Sequence, residues 1–253
     1  MELLIQTDLL TQIIISGILS VALSVIAYRL GMLTFTGALA SLVVGYTVGV
    51  FGSIEWLILL VAFTFAGLTA TKLDISEKSK YGLQEGEYGE RSHKNVFGVG
   101  LPACIFAILY GVLHVPLNGE YDLALTVAYI TTLTVAAADT VASEIGIRDG
   151  KVWLITTFER VRRGTNGGVS VLGTVSSLVA AVFTGTIGWL LIFRGIDVYV
   201  LIPITMGMVG NLIDSVLGAT LENKGKISKY VNNSISAMIG AVLGMIIILY
   251  LWY

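Results

Sequence analysis

The chain has 253 residues, 55% of them hydrophobic and only 13% charged, with one cysteine and a formal net charge of −2; its mean hydropathy is +0.86. Soluble domains carry roughly 25% charged residues, so this balance points to a protein that crosses a membrane several times and excludes an ordinary soluble enzyme fold. A single cysteine, Cys104, permits neither an internal disulfide nor a cysteine-based metal cluster.

A bilayer core requires about 20 mostly apolar residues per helix. The first such run is 9–28. The N-terminal MELLIQTDLLTQ has acids but no basic region and no small-residue cleavage site, so this run reads as a retained span. Two shorter runs, 33–51 and 54–71, are divided by an FGS turn, and the polar segment 72–95 follows. Runs at 96–114 and 123–143 come next, then a second polar segment, 144–168. Runs at 169–193, 198–219 and 233–253 complete the chain. The expectation is all-α: a polytopic bundle of about eight transmembrane helices forming one integral membrane domain over 1–253.

The basic residues orient this bundle. Arg29 and the segments 72–95, 144–168 and 220–232 hold every Lys and Arg of the chain except Arg194. An excess of Lys and Arg in short loops marks the cytoplasmic side. Both termini are therefore expected on the non-cytoplasmic side, with those three loops forming the active-site face. Glycine-rich stretches such as GALASLVVG (37–45) and GAVLG (240–244) permit close helix packing within a chain or between copies in a homo-oligomer.

Against this apolar background, Asp139 in AAADTVASEIG (136–146) and Asp214 in NLIDSVLG (211–218) stand out. A charge deep in a span costs about 2.5–3.5 kcal/mol on insertion scales, and such residues mark function more often than packing. Both acids end spans that run toward the cytoplasm, so they are expected at similar depth. Each is followed by a hydroxyl residue. Two such acids suit Mg²⁺, which takes oxygen ligands and binds through one or two carboxylates plus substrate phosphates. Glu144 is five residues from Asp139 and points elsewhere on a continuous helix. It joins the same metal site only if the helix ends near Ser143. The alternative is a solvated helix-end acid.

The loop ERVRRGTNGGVS (159–170) is the second signal. Gly164, Gly167 and Gly168, with Thr165, Asn166 and Ser170, permit backbone N–H groups to converge on an anion. The following helix offers its positive N-terminal end, and Arg160 and Arg163 add bidentate phosphate donors. In the same layer lie Lys72, Lys80, Arg91 and Lys94, with Asn95 beside them as a further phosphate-binding candidate; each charge taken alone is better explained by orientation in the membrane than by ligand binding. Asn211 shares a face with Asp214, and Ser215 adjoins it. Asn232 and Asn233 open the last span as caps, metal ligands or substrate contacts, capping being the plainer role for one of them. Neither a nucleotide-binding P-loop nor the soluble-kinase motifs are present.

ADTVASEIG, RGTNGGVS and GNLIDSVLGATL with the later asparagine pair, together with RSHKNV (91–96), resemble the membrane family that includes plant phytyl-phosphate kinases; the likeness covers nearly the whole chain. That family is similar in turn to the CTP-dependent dolichol and phytol kinases. The resemblance implies a membrane kinase that transfers a phosphoryl group from a nucleoside triphosphate, CTP by this likeness, to a prenyl monophosphate of phytyl or geranylgeranyl type, giving the diphosphate. It implies Mg²⁺ as cofactor, a lipid and a nucleotide as partners, no nucleic acid, and a cell-membrane location. Matching the motifs residue by residue makes Asp139, Glu144, Asn166, Asp214 and Ser215 the foremost functional residues. Arg91, Lys72 or Lys80 would hold the acceptor phosphate. Glu222 departs from the glutamine expected there, a change that bears on local contacts rather than on the chemistry. Two rivals are a secondary transporter coupled through intramembrane acids and a phosphotransferase acting on CDP-lipids. The first places its acids near the midplane, and the second packs several aspartates into one short motif that this chain lacks.

Overall fold

The computed structural model describes residues 9–80 and 89–252, without the side chains of 68–80. Within these residues run eight helices: α1 Leu9–Arg29, α2 Phe35–Phe51, α3 Ile54–Lys80, α4 His93–Leu113, α5 Asp122–Gly146, α6 Val171–Phe193, α7 Leu201–Leu217 and α8 Lys229–Trp252. Six are long and apolar enough to cross a membrane by themselves; α2 and the apolar part of α3, Ile54–Gly67, are shorter. The 17 residues of α2 reach only about 25 Å at 1.5 Å per residue, a little short of a hydrocarbon core.

The helices agree with the expected spans and depart from them at the ends. Helix α3 runs on to Lys80, through TKLDISEKSK, and α5 passes Ser143 to end at Gly146. Hydropathy marks where the membrane stops rather than where the backbone stops being helical, and neither stretch contains proline to break it. The segment between α5 and α6 adds an element that the apolar pattern did not announce. It holds a small antiparallel sheet in the order β2-β1-β3, made of β1 Val152–Leu154, β2 Arg160–Val161 and β3 Gly168–Val169.

Helix α5 is the axis of the bundle. It packs against α3, α4, α6, α7 and α8, and 89% of its most apolar window is enclosed by protein, so it meets almost no lipid. Three of its buried hydroxyls are satisfied within the helix: Thr131, Thr132 and Thr134 each donate a hydroxyl hydrogen to the carbonyl four residues earlier, as buried threonines on helices do. Tyr129 stacks on Trp56 with ring centroids 4.1 Å apart and donates its hydroxyl to the Trp56 carbonyl at 2.6 Å. That contact fixes the start of α3 against α5.

Glycine sets the spacing of α5, α7 and α8. Val135 lies between Gly210 on α7 and Gly240 on α8. A Cβ on Gly210 would overlap the Val135 methyl groups, and one on Gly240 would lie 2.8 Å from Val135 Cγ2. Only glycine permits this approach. One helical turn further along are Asp139 on α5, Asp214 on α7 and Ser236 on α8. The three-way packing at Val135 therefore delivers both acids to one level of the bundle. At the far end of the bundle, Arg194 pairs with Glu55 at 2.9 Å and His114 Nδ1 lies 2.7 Å from Asp122 Oδ2.

Candidate functional site

Beyond the Val135 contact the helices part around a cavity of about 420 Å³. Helix α5 contributes Asp139, Ala142, Ser143 and Gly146 to its wall, positions three and four apart that share one helical face. From α7 come Met208, Asn211, Leu212, Asp214 and Ser215, and from α8 come Lys229, Tyr230, Asn232 and Asn233. The roof is the loop Gly164 to Ser170, and α6 adds Gly173, Thr174 and Ser177. Asp139 and Asp214 thus face the same space. The Ser236 hydroxyl lies 3.0 Å from Asp214 Oδ1, in position to donate to it.

The glycine loop is built against α7. Gly164 and Gly167 have φ of +77° and +76°, a left-handed conformation that glycine adopts without strain. A Cβ on Gly167 would also strike Ala219 and the Ser215 carbonyl. The Asn223 side-chain amide donates to the Asn166 carbonyl at 2.9 Å and ties the loop to the segment after α7. The amides of Thr165 and Gly168 bond within the loop. The glycine pattern is therefore required by packing and by turn geometry, whatever the loop binds.

The N-terminus of α6 is already served by the chain itself. Ser170 Oγ accepts the Gly173 amide at 3.0 Å, and Asp149 Oδ2 accepts the Leu172 amide at 3.2 Å. Asp149 also accepts the Lys151 amide through Oδ1 at 3.1 Å. The Lys151 and Leu172 amides hold this exposed carboxyl below the usual carboxylate range. An aspartate at a helix N-terminus offsets the positive end of the dipole, so that end is capped by Asp149 rather than left open for a phosphate.

The predicted site residues separate into two groups. Asp139, Gly164, Thr165, Asn166, Gly167, Gly168, Ser170, Asn211, Asp214, Ser215, Asn232 and Asn233 all border the cavity. Glu144 does not. Because α5 continues unbroken to Gly146, the condition for its joining Asp139 fails; it is buried, 4% exposed, on a different face of the helix. Arg160 is exposed on β2, and Lys94 is exposed in the first turn of α4. Arg163 reaches toward Gly150, its Nη2 lying 3.4 Å from where a Cβ would sit there. Asn95 serves as a helix cap: its Oδ1 accepts the Ser92 amide and hydroxyl, each at 3.0 Å. Arg91 borders a separate, narrower groove among α1, α2, α3 and α4, with its guanidinium 3.7 Å from where a Gly67 Cβ would be. The Lys72 and Lys80 side chains lie outside the described residues.

Asn232 is not a cap. Helix α8 begins at Lys229, and the Asn232 side chain reaches across to donate to the Asp214 carbonyl at 3.1 Å and to Glu222 Oε2 at 3.2 Å. Glu222, expected to bear on local contacts alone, itself borders the cavity. It ends a π-helical turn, Gly218–Glu222, that follows α7. Ser236 and Lys229 were also missed. Ser236 carried a legible signal, since it stands four residues from Asn232 and so shares its face. Among the described residues, no three His, Cys, Asp or Glu side chains converge on one point to hold a metal ion.

The family described as integral membrane protein DUF92 matches residues 18–247. The chain belongs to this family. It is 32% identical over 243 residues to the uncharacterized membrane protein MJ0933 of Methanocaldococcus jannaschii, covering 95% of this chain and 96% of the relative. It is 30% identical over 217 residues to Protein VTE6, chloroplastic, of Arabidopsis thaliana, covering 85% of this chain and 64% of that one. Protein PGR of the same plant is 29% identical over 246 residues, covering 89% and 83%. No solved structure matches. The protein is thus an integral, multi-pass, all-α membrane protein of this family.

Proposed function

We propose that this protein is a membrane phosphotransferase that moves a phosphoryl group from a nucleoside triphosphate to a prenyl monophosphate, producing the prenyl diphosphate at the cytoplasmic face of the cell membrane. The observation that carries the reading is the meeting of Asp139 and Asp214 on the wall of one cavity roofed by a glycine loop. The resemblance of ADTVASEIG, RGTNGGVS and GNLIDSVLGATL to the phytyl-phosphate kinases supplies the prenyl acceptor and CTP as donor.

The residues fit Mg²⁺. Asp139 and Asp214 both face the cavity and offer hard oxygen donors. Two carboxylates with phosphate oxygens and water form an ordinary Mg²⁺ environment. When bound, Mg²⁺ supplies charge neutralisation at the donor phosphates and polarises the transferred group. Asp139 and Asp214 would hold it, with Ser236 orienting Asp214. Thr165, Asn166 and Lys229 border the space that the donor phosphates would take, and they would position the transferred phosphorus. An oxygen of the acceptor phosphate attacks that phosphorus as the bond to the leaving nucleoside diphosphate breaks. The acceptor is already an anion, so no general base is required, and catalysis consists of positioning and charge stabilisation.

The test is transfer of labelled phosphate from each of the four common nucleoside triphosphates to a panel of prenyl monophosphates, using purified protein in detergent. The wild type is expected to form the diphosphate only with a divalent cation. Asp139→Asn and Asp214→Asn should lower the rate at least about 10²-fold while remaining monodisperse. Absence of transfer by the wild type with every pair, or full activity in both variants, refutes the proposal.

A further inference from the structure

We infer that the cavity holds two divalent cations rather than one, the second at a subsite formed by Glu222 and Asn232. The inference rests on the phosphotransferase reading and adds to it a site peculiar to this chain, since the resemblance places a neutral glutamine where Glu222 stands.

Asn232 carries the argument. Its side chain is buried, the residue being 2% exposed. Nδ2 points its hydrogens at the Asp214 carbonyl, 3.1 Å away, and at Glu222 Oε2, 3.2 Å away. Both of those partners are acceptors, so the amide orientation is fixed: reversing it would set oxygen against oxygen twice. The remaining atom, Oδ1, has no hydrogen-bond partner, although a buried polar atom left unmade costs about 1–3 kcal/mol. An amide oxygen can only accept. It cannot face a phosphate oxygen, so the group it is built to meet is a cation or a donor.

Glu222 decides between the two. It is carried to the cavity by the turn Gly218–Glu222, in which Asn223 donates its backbone amide to the Gly218 carbonyl five residues back at 3.1 Å. Such single π turns sit often at functional sites. The Asn223 side chain then anchors the turn to the glycine loop, so Glu222 does not swing freely. Three carboxylates, Asp139, Asp214 and Glu222, therefore border the cavity, against one cation, Lys229, among the described residues. Negative charge of this density in a partly enclosed space draws positive charge, and a triphosphate would only increase the demand.

The arrangement of the acids gives the number. Among the described residues no three such side chains converge on one point, and the three acids divide accordingly between two ions. Mg²⁺ requires only one or two carboxylates and completes its shell with water and phosphate. Asp139 with Asp214 makes one such pair; Glu222 with Asn232 Oδ1 makes the other. Two cations along a polyphosphate are a recurrent solution in phosphoryl transfer.

Mn²⁺ titration of the purified, nucleotide-free protein, followed by electron paramagnetic resonance, tests this without reference to turnover. The wild type should take up two Mn²⁺ per chain. Glu222→Gln keeps the shape of the side chain and an acceptor for Asn232, and it should weaken one site by about 10-fold or more while sparing the other. Asn232→Leu should weaken the same site, and Asp214→Asn the other one. Uptake of a single Mn²⁺ by the wild type, or equal uptake by wild type and Glu222→Gln, overturns the inference. Either of those results accompanied by phosphate transfer leaves the phosphotransferase reading standing; absence of transfer refutes that reading whatever the Mn²⁺ count.

Discussion

Replacing Gly210 by alanine tests whether the Val135 contact is what delivers the two acids to one cavity. The added Cβ would overlap Val135 Cγ2, lie 2.8 Å from Cγ1 and stand 3.2 Å from the Ser236 carbonyl. Ordinary contacts of this kind are about 3.4–4 Å, so α7 must retreat from α5 by a large part of an ångström. Overpacking of this sort costs about 1–3 kcal/mol, which corresponds to a fall of roughly 2–12 °C in apparent melting temperature for a chain of this size. Asp214 lies one turn away on the same helix and moves with it. A misplacement of about 1 Å at a reacting centre costs about 10²-fold in rate, so activity should fall much further than stability. Melting followed by tryptophan fluorescence in detergent gives the first quantity, and transfer of labelled phosphate gives the second. Val135→Ala in the same chain removes the clashing methyl groups. The double variant should therefore be more stable than the sum of the single effects by about 0.5–3 kcal/mol. Additive losses, or wild-type melting in Gly210→Ala, would refute the packing argument.

Asp149 provides a pH prediction for the loop that roofs the cavity. Its carboxyl is held below the usual range by the Lys151 and Leu172 amides, so its contribution is present above the unfolded value of about 3.9 and is lost as pH falls through the lower folded value. Limited proteolysis of the segment 147–170 should accelerate below about pH 4 in the wild type. Asp149→Asn should already be cut faster at pH 7, and with little further change on acidification; identical cleavage of the two proteins would remove Asp149 as the cap of α6. Tyr129→Phe keeps the stacking on Trp56 and loses the 2.6 Å hydrogen bond to its carbonyl. A loss of about 0.5–1.5 kcal/mol is expected, seen as a modest drop in melting temperature, and phosphate transfer per folded molecule should hold because the residue lies far along α5 from Asp139.

Much of the architecture was legible because membrane spans obey a one-dimensional rule. A bilayer demands long apolar runs whose backbone bonds close within the segment, and each of the eight runs appears as a helix among the described residues. The rule fails where its physics stops. Hydropathy ended the third span near residue 71 while α3 continued as a helix to Lys80, because polar residues outside a membrane form helix just as well. The small sheet of β1, β2 and β3 was hidden for a similar reason: strands of two or three residues are too short to establish an alternating pattern.

In the site, the sequence by itself singled out Asp139 and Asp214, because an acid in an apolar span is expensive wherever the chain folds. It also marked the glycine loop, because left-handed turns and close approaches leave few other choices of residue. Only the tertiary structure decided which groups share a cavity. It sent Glu144 to another face of an uninterrupted α5, used Asn95 as a cap, and left Arg91 in a different groove. It brought Glu222 and Ser236 to the wall, residues from separate elements that meet there because Gly210 and Gly240 let α7 and α8 close upon Val135. Cost is written into each residue type and can be read along a line. Proximity depends on helix spacing, on phase and on one widened turn, quantities that every residue of the bundle sets together.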